Sequence, residues 1–295
     1  MTDAPPLLFD RALIVARLDR AIRAGVSGAD FLLRRAADEL ADRVALVSRA
    51  FPVAADIGTP GPHAAMVLAA RAGGGLTSRL APTSASAGDG DFARAVGDVE
   101  RLPFAPGGLD LVVSLLALHH VNDLPGALIQ IRAALRPDGL LLAAIPGGDT
   151  LTELRQSLVV AESDMTGGAA PRVAPFADVR ALGALLQRAG FALPVVDADR
   201  AVVRYDDLGA LMRDLRAFGA TNALSARSRK PPSRELFARA AAIYAERFAD
   251  PDGRLRATFD TLWVSGWSPH ESQPKPLKPG SATTRLADAL RGAGS

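Results

Sequence analysis

A chain of 295 residues, 48% hydrophobic and 22% charged, has the length and make-up of an ordinary globular protein, with enough apolar material for one large α/β domain or two small ones. Lysine plus arginine number 34 against 32 acids, a net charge of +2, and this excludes the basic stripe of a nucleic-acid binder; Arg227, Arg229 and Lys230 make only a short local patch. The absence of cysteine excludes disulfides, thiolate metal sites and a cysteine nucleophile, and four histidines leave little material for a metal centre.

Residues 8–50 carry apolar side chains at helical spacing and predict two helices. The pattern then changes to short apolar runs separated by turns. A buried strand is expected over 51–58, a helix over 63–72, a second strand within 73–82 and a third within 93–104, ending at Gly97-Asp98. A fourth strand begins the stretch 109–121. A helix over 124–139 stops at a Pro/Gly pair, and a fifth strand occupies 140–148. Next come a helix at 149–163, a helix then a strand within 174–199, helices around 207–218 and 233–249, and a late strand at 257–267. Strands alternating with helices predict a largely parallel sheet covered on both faces, with ligands at the carboxyl ends of the strands. No repeat is visible. One domain with helical insertions is expected: N-terminal helices over 1–50, a core over 51–148, a second half over 149–267 and a Pro/Ser-rich extended tail over 268–295.

No apolar run approaches the about 20 residues of a membrane helix. The N-terminus, with an early acid, prolines and interspersed arginines, is unlike a secretory signal. A cytoplasmic protein is expected, with peripheral association with a membrane partner left open.

The series "GD…LPF…DLVVS…LHHV…LRPDG" within 97–150 resembles the central half of a class I S-adenosylmethionine-dependent methyltransferase. A narrower match runs through "FDRAL" at 9–13, "GGDTLTELRQSLVVAES" at 147–163, "PRVAPFADVRALGALLQRAGF" at 171–191 and "GWSPHESQPKPLKPGSAT" at 266–283. These stretches resemble the complex I assembly factor 5 family, to which arginine hydroxylation of a complex I subunit is ascribed, and its bacterial relatives. The resemblance implies a Rossmann-like class I methyltransferase fold, α/β with a mostly parallel seven-stranded sheet. It also implies S-adenosylmethionine as cofactor and a protein partner as substrate, with a complex I subunit as the candidate. A more distant resemblance is to the methyltransferases that esterify a carrier-bound malonyl group.

In that superfamily a D-x-G-x-G-x-G turn after the first strand passes beneath the cofactor's methionine part, and glycines there let the backbone approach the ligand. In "DIGTPGPHAA", at 56–65, Asp56 and Gly58 match, Gly61 lies between, and Pro60 and Pro62 stand in the second and third glycine positions. Proline removes an N–H and fixes φ, so a displaced turn with fewer donors is expected. The second strand offers Thr77, Ser78 and Arg79 but no ribose-binding carboxylate; Asp89 and Asp91 come later, in a Gly/Ser loop. The resemblance places Asp98 at the adenine amino group with the Val99 N–H on the ring, and a backbone carbonyl at Ser114-Leu115 on the cofactor.

No catalytic residue is assigned. His119 and His120 follow the fourth strand and fit either a general base or packing, with packing favoured for His120. His270-Glu271 is a candidate carboxylate–histidine pair but lacks the second histidine of a zinc motif. A hydroxylating metal site of His119, His270 and Glu271 requires the tail to fold across the strand ends. Thr150 and Glu153 read as a capping box, and the resemblance turns Asp149 and Arg155 toward the pocket or a partner. Trp263, Trp267 and Phe259 read as core of the last strand. Three functions stay open: methyl transfer to a protein or small acid, arginine hydroxylation, and a non-catalytic assembly chaperone with a degenerate cofactor loop.

Overall fold

The computed structural model describes residues 7–71 and 75–274. The segment from 275 onward, which contains most of the expected extended tail, lies outside the described residues.

Two helices come first. Helix α1 (Arg11–Ala24) is capped by Asp10, whose carboxylate accepts from the Leu13 N–H, and it ends at Gly25 with φ of 58°. Helix α2 (Phe31–Ala45) buries Leu33, Ala36, Ala37, Leu40 and Val44, the apolar stripe of a helix lying on a sheet. The alternating part follows as β1 (Val53–Ile57), α3 (His63–Arg71), β2 (Leu76–Ala81), β3 (Ala93–Val96), β4 (Leu109–Leu115), α4 (Leu124–Ala134) and β5 (Leu135–Pro146). The second half contains α5 (Thr152–Thr166), α6 (Val179–Arg188), β6 (Ala192–Tyr205), α7 (Leu208–Ala217), α8 (Arg234–Phe248) and β7 (Leu255–Trp267).

The strands form one seven-stranded sheet in the order β3-β2-β1-β4-β5-β7-β6. β1 to β5 pair in parallel, while β7 runs antiparallel between β5 and β6. Chain order reverses between β1 and β4, which opens a crevice at their carboxyl ends. Alternation along the central strands divides the core. Val112, Leu141 and Ala143 face α4 and α6, whereas Leu111, Val113, Leu140 and Leu142 face α2 and α3. A third apolar cluster joins α5, α7 and α8 to Leu255, Ala257 and Phe259 of β7, and it builds the wall above the crevice. Trp263 and Phe259 are buried as expected of a core strand. Among the described residues, no helix is long and apolar enough to cross a membrane.

Two local expectations are corrected. Helix α4 stops at Ala134, and β5 begins at Leu135, ahead of the expected position. Pro137 disfavours helical geometry at Arg136, and Asp138 turns the chain at φ of 62°. The capping box does not form: α5 starts after Leu151, at φ of 55°, with no side-chain cap. Thr150 instead exchanges hydrogen bonds with the Asp260 backbone, and the Glu153 carboxylate accepts from the N–H and hydroxyl of Thr258. Both residues tie α5 to β7, because a buried strand neighbour is a drier partner than the first helical turn.

Trp263 is 2% exposed, and the Arg43 guanidinium lies 4.6 Å from its ring centroid. Trp263→Ala is expected to lower stability by about 3–5 kcal/mol, read as a reduced urea midpoint with an unchanged slope.

Candidate functional site

The turn after β1 is held from below by a buried ion pair. Asp56 and Arg79 are register partners on β1 and β2, and both side chains are fully buried. The Arg79 guanidinium donates to the Asp56 carboxylate, to the carbonyls of Thr59 and Ser86, both at 2.8 Å, and to that of Ala87 at 3.1 Å. The Thr59 hydroxyl donates to the other Asp56 oxygen and accepts from the Leu115 N–H at 3.0 Å. Burial pushes the Asp56 carboxyl above its usual range, and the guanidinium opposes that shift. One side chain from β2 therefore satisfies groups on two loops. A buried arginine on a strand needs such an acid, and the burial that calls for it is set by the packing of β1 on β2.

Above this pair the structure encloses a cavity of about 1010 Å³. The Pro60-Gly61-Pro62 turn, Leu116 and His119 line one end; residues of α1, α5 and α7 line the sides, and Asp260 and Thr261 close another wall. Of the residues assigned to the cofactor, Gly61 lines this cavity. Asp56, Gly58, Val99, Ser114 and Leu115 are buried behind its wall. Gly58 has φ of 72°, and a Cβ there would stand 2.4 Å from the Val99 side chain, so glycine is required at that position. The Ser114 hydroxyl donates to the Ile57 carbonyl at 2.8 Å and braces β4 against β1. Asp98 is half-exposed beyond β3 and pairs with Arg11 of α1 at 2.6 Å, while Arg11 also meets Glu100 at 2.9 Å. Asp89 pairs with Arg94 on an exposed loop, and Asp91 is exposed as well.

The chain just before α1 crosses the mouth of the cavity. Phe9 exchanges backbone hydrogen bonds with the Asn122 side chain, and its ring meets His120 edge-on at 5.5 Å. The rings of His119 and His120 meet at a tilt of 42° with centroids 3.8 Å apart, and Phe176 lies 6.1 Å from His119. Burial holds His119 well below the usual histidine range; burial, with the Arg11 charge second, brings His120 down to about 4. Both rings are therefore neutral near pH 7. A residue the sequence reading left unassigned, His63, also lines the cavity, with Nε2 3.0 Å from the Asp30 carboxylate.

His270 lies elsewhere. Its ring bonds Ser272 at 2.6 Å, and the adjacent chain is fastened to Asp138 and Gly139 at the beginning of β5. His119 follows the far end of β4, about 15 Å along the strand direction. His119, His270 and Glu271 are not brought together, and no group of three potential metal ligands occurs among the described residues. Asp149 pairs with Arg200 on the exposed surface, and Arg155 donates to the carbonyls of Gly148 and Thr150, so neither lines the cavity.

Comparisons with known proteins agree with this architecture. A family model described as a methyltransferase domain matches residues 77–143. The chain is 41% identical over 268 residues to "Arginine-hydroxylase NDUFAF5, mitochondrial" of Danio rerio, covering 88% of this chain and 82% of that protein. It is 36% identical over 285 residues to the malonyl-[acyl-carrier protein] O-methyltransferase of Laribacter hongkongensis, covering 91% and 92% respectively. Among solved structures, the YcgJ protein of Bacillus subtilis superposes with a TM-score of 0.55 at 15% identity, covering 80% of this chain and 99% of that one, a likeness of fold. The expected cytoplasmic location is corrected by these relatives: the NDUFAF5 proteins of fish, rat and human are named as mitochondrial.

Arg79→Met leaves the Asp56 carboxylate buried without its cation and is expected to cost about 3–5 kcal/mol. The double variant with Asp56→Asn should recover part of that loss in chemical denaturation. The two adjoining histidines give a second expectation. A histidine whose folded pKa lies below the unfolded value of about 6.5 binds fewer protons when folded, so its contribution is complete above pH ~6.5 and is lost as pH falls toward about 4. Unfolding free energy measured across that window should decline, and His120→Phe should flatten the decline.

Proposed function

Because the chain belongs to the family that includes the mitochondrial arginine-hydroxylase NDUFAF5, we propose that it acts on a protein partner during assembly of respiratory complex I, using a methyltransferase fold that binds S-adenosylmethionine. The observation that carries this reading is the 41% identity extending over 88% of this chain and 82% of the fish relative, far more than the cofactor-binding half. A likeness confined to the cofactor-binding half would have supported the fold alone.

Part of the expected cofactor set reaches the cavity. The glycine turn reaches the cavity at Gly61, Gly58 takes the positive φ that keeps the β1 end free of a Cβ, and the volume accommodates a cofactor together with a substrate side chain. Gly58 and Gly61 would lie beneath the methionine part, Ser114-Leu115 would offer backbone carbonyl, and Asp98 with the Val99 N–H would hold the adenine. When bound, S-adenosylmethionine supplies a methyl group activated by its sulfonium. The chain's own part is positioning, which is most of what methyl transfer requires. The Asp56–Arg79 pair keeps the turn in place from below, the apolar walls limit water, and neutral His119 is in the form that accepts a proton.

Arginine hydroxylation is the second reading, favoured by the names of the relatives at about 40% identity. The two readings separate on product. Mass spectrometry of the matching complex I subunit, from cells with and without this protein, should show an arginine heavier by a methyl group or by an oxygen atom. An unchanged subunit counts against both and leaves the assembly-chaperone role.

Calorimetry tests the cofactor directly. S-adenosylhomocysteine is expected to bind with one-to-one stoichiometry, and Asp98→Ala to weaken it by about tenfold. Absence of binding at millimolar ligand would remove the cofactor from the proposal.

A further inference from the structure

The loop between α7 and α8 borders the cavity mouth. Its stretch Arg227-Ser228-Arg229-Lys230-Pro231-Pro232 gathers cations in a chain whose net charge is only +2. The loop is tied down at both ends. The Ser225 N–H donates to the Leu8 carbonyl at 2.9 Å, and Phe9 and Leu224 form an antiparallel bridge. The Arg227 guanidinium donates to the Leu224 carbonyl at 2.8 Å and meets Asp10 at 3.0 Å. The Lys230 N–H donates to the Ser228 hydroxyl at 3.2 Å. Two prolines then fix the path to Ser233, the cap of α8.

The cations around this mouth fall into two sets. Arg17 and Arg227 are turned inward and engaged: Arg17 donates to the carbonyls of Thr221 and Asn222, and Arg227 holds Asp10. Burial, then the charges of Arg227 and Arg20, hold the Arg17 guanidinium below its usual range, as crowded positive charge does. Arg20, Arg229 and Lys230 are exposed, and among the described residues none of them reaches a carboxylate. Arg229 and Lys230 line the cavity itself, so their charge stands at its entrance. A cleft with low-dielectric walls and one sign of charge at its mouth focuses the field on an approaching ion.

We propose that this rim docks an acidic segment of the partner protein, one with carboxylates close to the side chain that enters the cavity. The inference rests on the reading above, in which the substrate is a protein. Leu7 and Leu8, 64% and 47% exposed, adjoin the rim through the Leu8–Ser225 bond, so apolar residues between the acids also find a surface. A flat anionic bilayer would touch the cations and leave the concave entrance unfilled, whereas a polypeptide reaches both. Complementary charge of this kind speeds encounter and fixes the orientation of the partner, and salt weakens it. Arg229 and Lys230 are docking residues and take no part in chemistry.

The test uses the full chain in calorimetry with two probes, acetyl-Leu-Glu-Glu-Leu-Glu-Leu-amide and its counterpart with glutamine in place of each glutamate. Wild-type protein is expected to prefer the acidic peptide by about tenfold at low ionic strength and to lose most of that preference near ~1 M salt. Arg229→Gln combined with Lys230→Gln should bring the ratio close to unity with the urea midpoint unchanged, since both side chains are exposed. Arg188→Gln combined with Arg247→Gln removes the same charge from exposed positions outside the cavity lining and should leave the preference intact. Equal binding of the two peptides by the wild type, a preference that survives in the rim variant, or the same loss in the Arg188/Arg247 variant overturns the proposal. So does rim-dependent binding to phosphatidylglycerol vesicles without a peptide preference. The mass of the complex I subunit tests the protein-substrate reading separately: a changed mass with no preference for the acidic peptide overturns the rim alone.

Discussion

The ion pair between Asp56 and Arg79 ties together the parts of this molecule that must not move. Its carboxylate belongs to the end of β1, its guanidinium to β2, and its remaining hydrogen bonds reach the turn at Thr59 and the loop at Ser86 and Ala87. Through the Thr59 hydroxyl the same network extends to the Leu115 N–H at the end of β4. Three neighbouring strands therefore end in register around one fully dry charge pair. Removing water makes each bond in such a network strong and each missing partner costly. The cavity is built on this floor, and its rigid end is the end where the glycine turn lies.

The prolines of the turn have a clear physical place in this arrangement. A turn with glycines at 60 and 62 would present more N–H donors and take more conformations. Here the path is fixed by two pyrrolidine rings and by carbonyls facing Arg79, and Pro62 packs against Gly88 of the loop beyond β2. The opposite wall follows different rules. It is apolar, contributed by α5, α7 and α8 with the first part of β7, and its carboxylate at 260 has Arg200 as ion partner at 3.6 Å.

Much of the architecture was legible in the sequence. The switch from helical to strand periodicity near residue 51 and the late apolar strand appear where periodicity put them, because buried faces impose a repeat of 3.6 or 2 on the chain; the Pro/Gly pair expected to stop α4 lies instead inside β5. The errors have local causes. Thr150 and Glu153 have the spacing of a capping box, but β7 offers buried backbone partners within reach, and tertiary hydrogen bonds displaced the local motif. His270 and His119 are both conspicuous in a chain with four histidines, yet the sheet places them at opposite ends of its strands.

The sequence by itself determined the succession of strands and helices and the family, since apolar period and motif spacing are properties of the chain read in one direction. Which polar groups are engaged and which remain free was decided only by the tertiary structure. Asp56 looks like a ligand residue until β2 brings Arg79 beside it, and Asp260 looks like an ordinary strand residue until Gly147 and Thr150 hold its backbone and Arg200 comes to 3.6 Å from its carboxylate. Both outcomes depend on neighbours 23 and 110 positions away along the chain. A side chain's chemistry is set by what the fold places against it, and no local pattern encodes that.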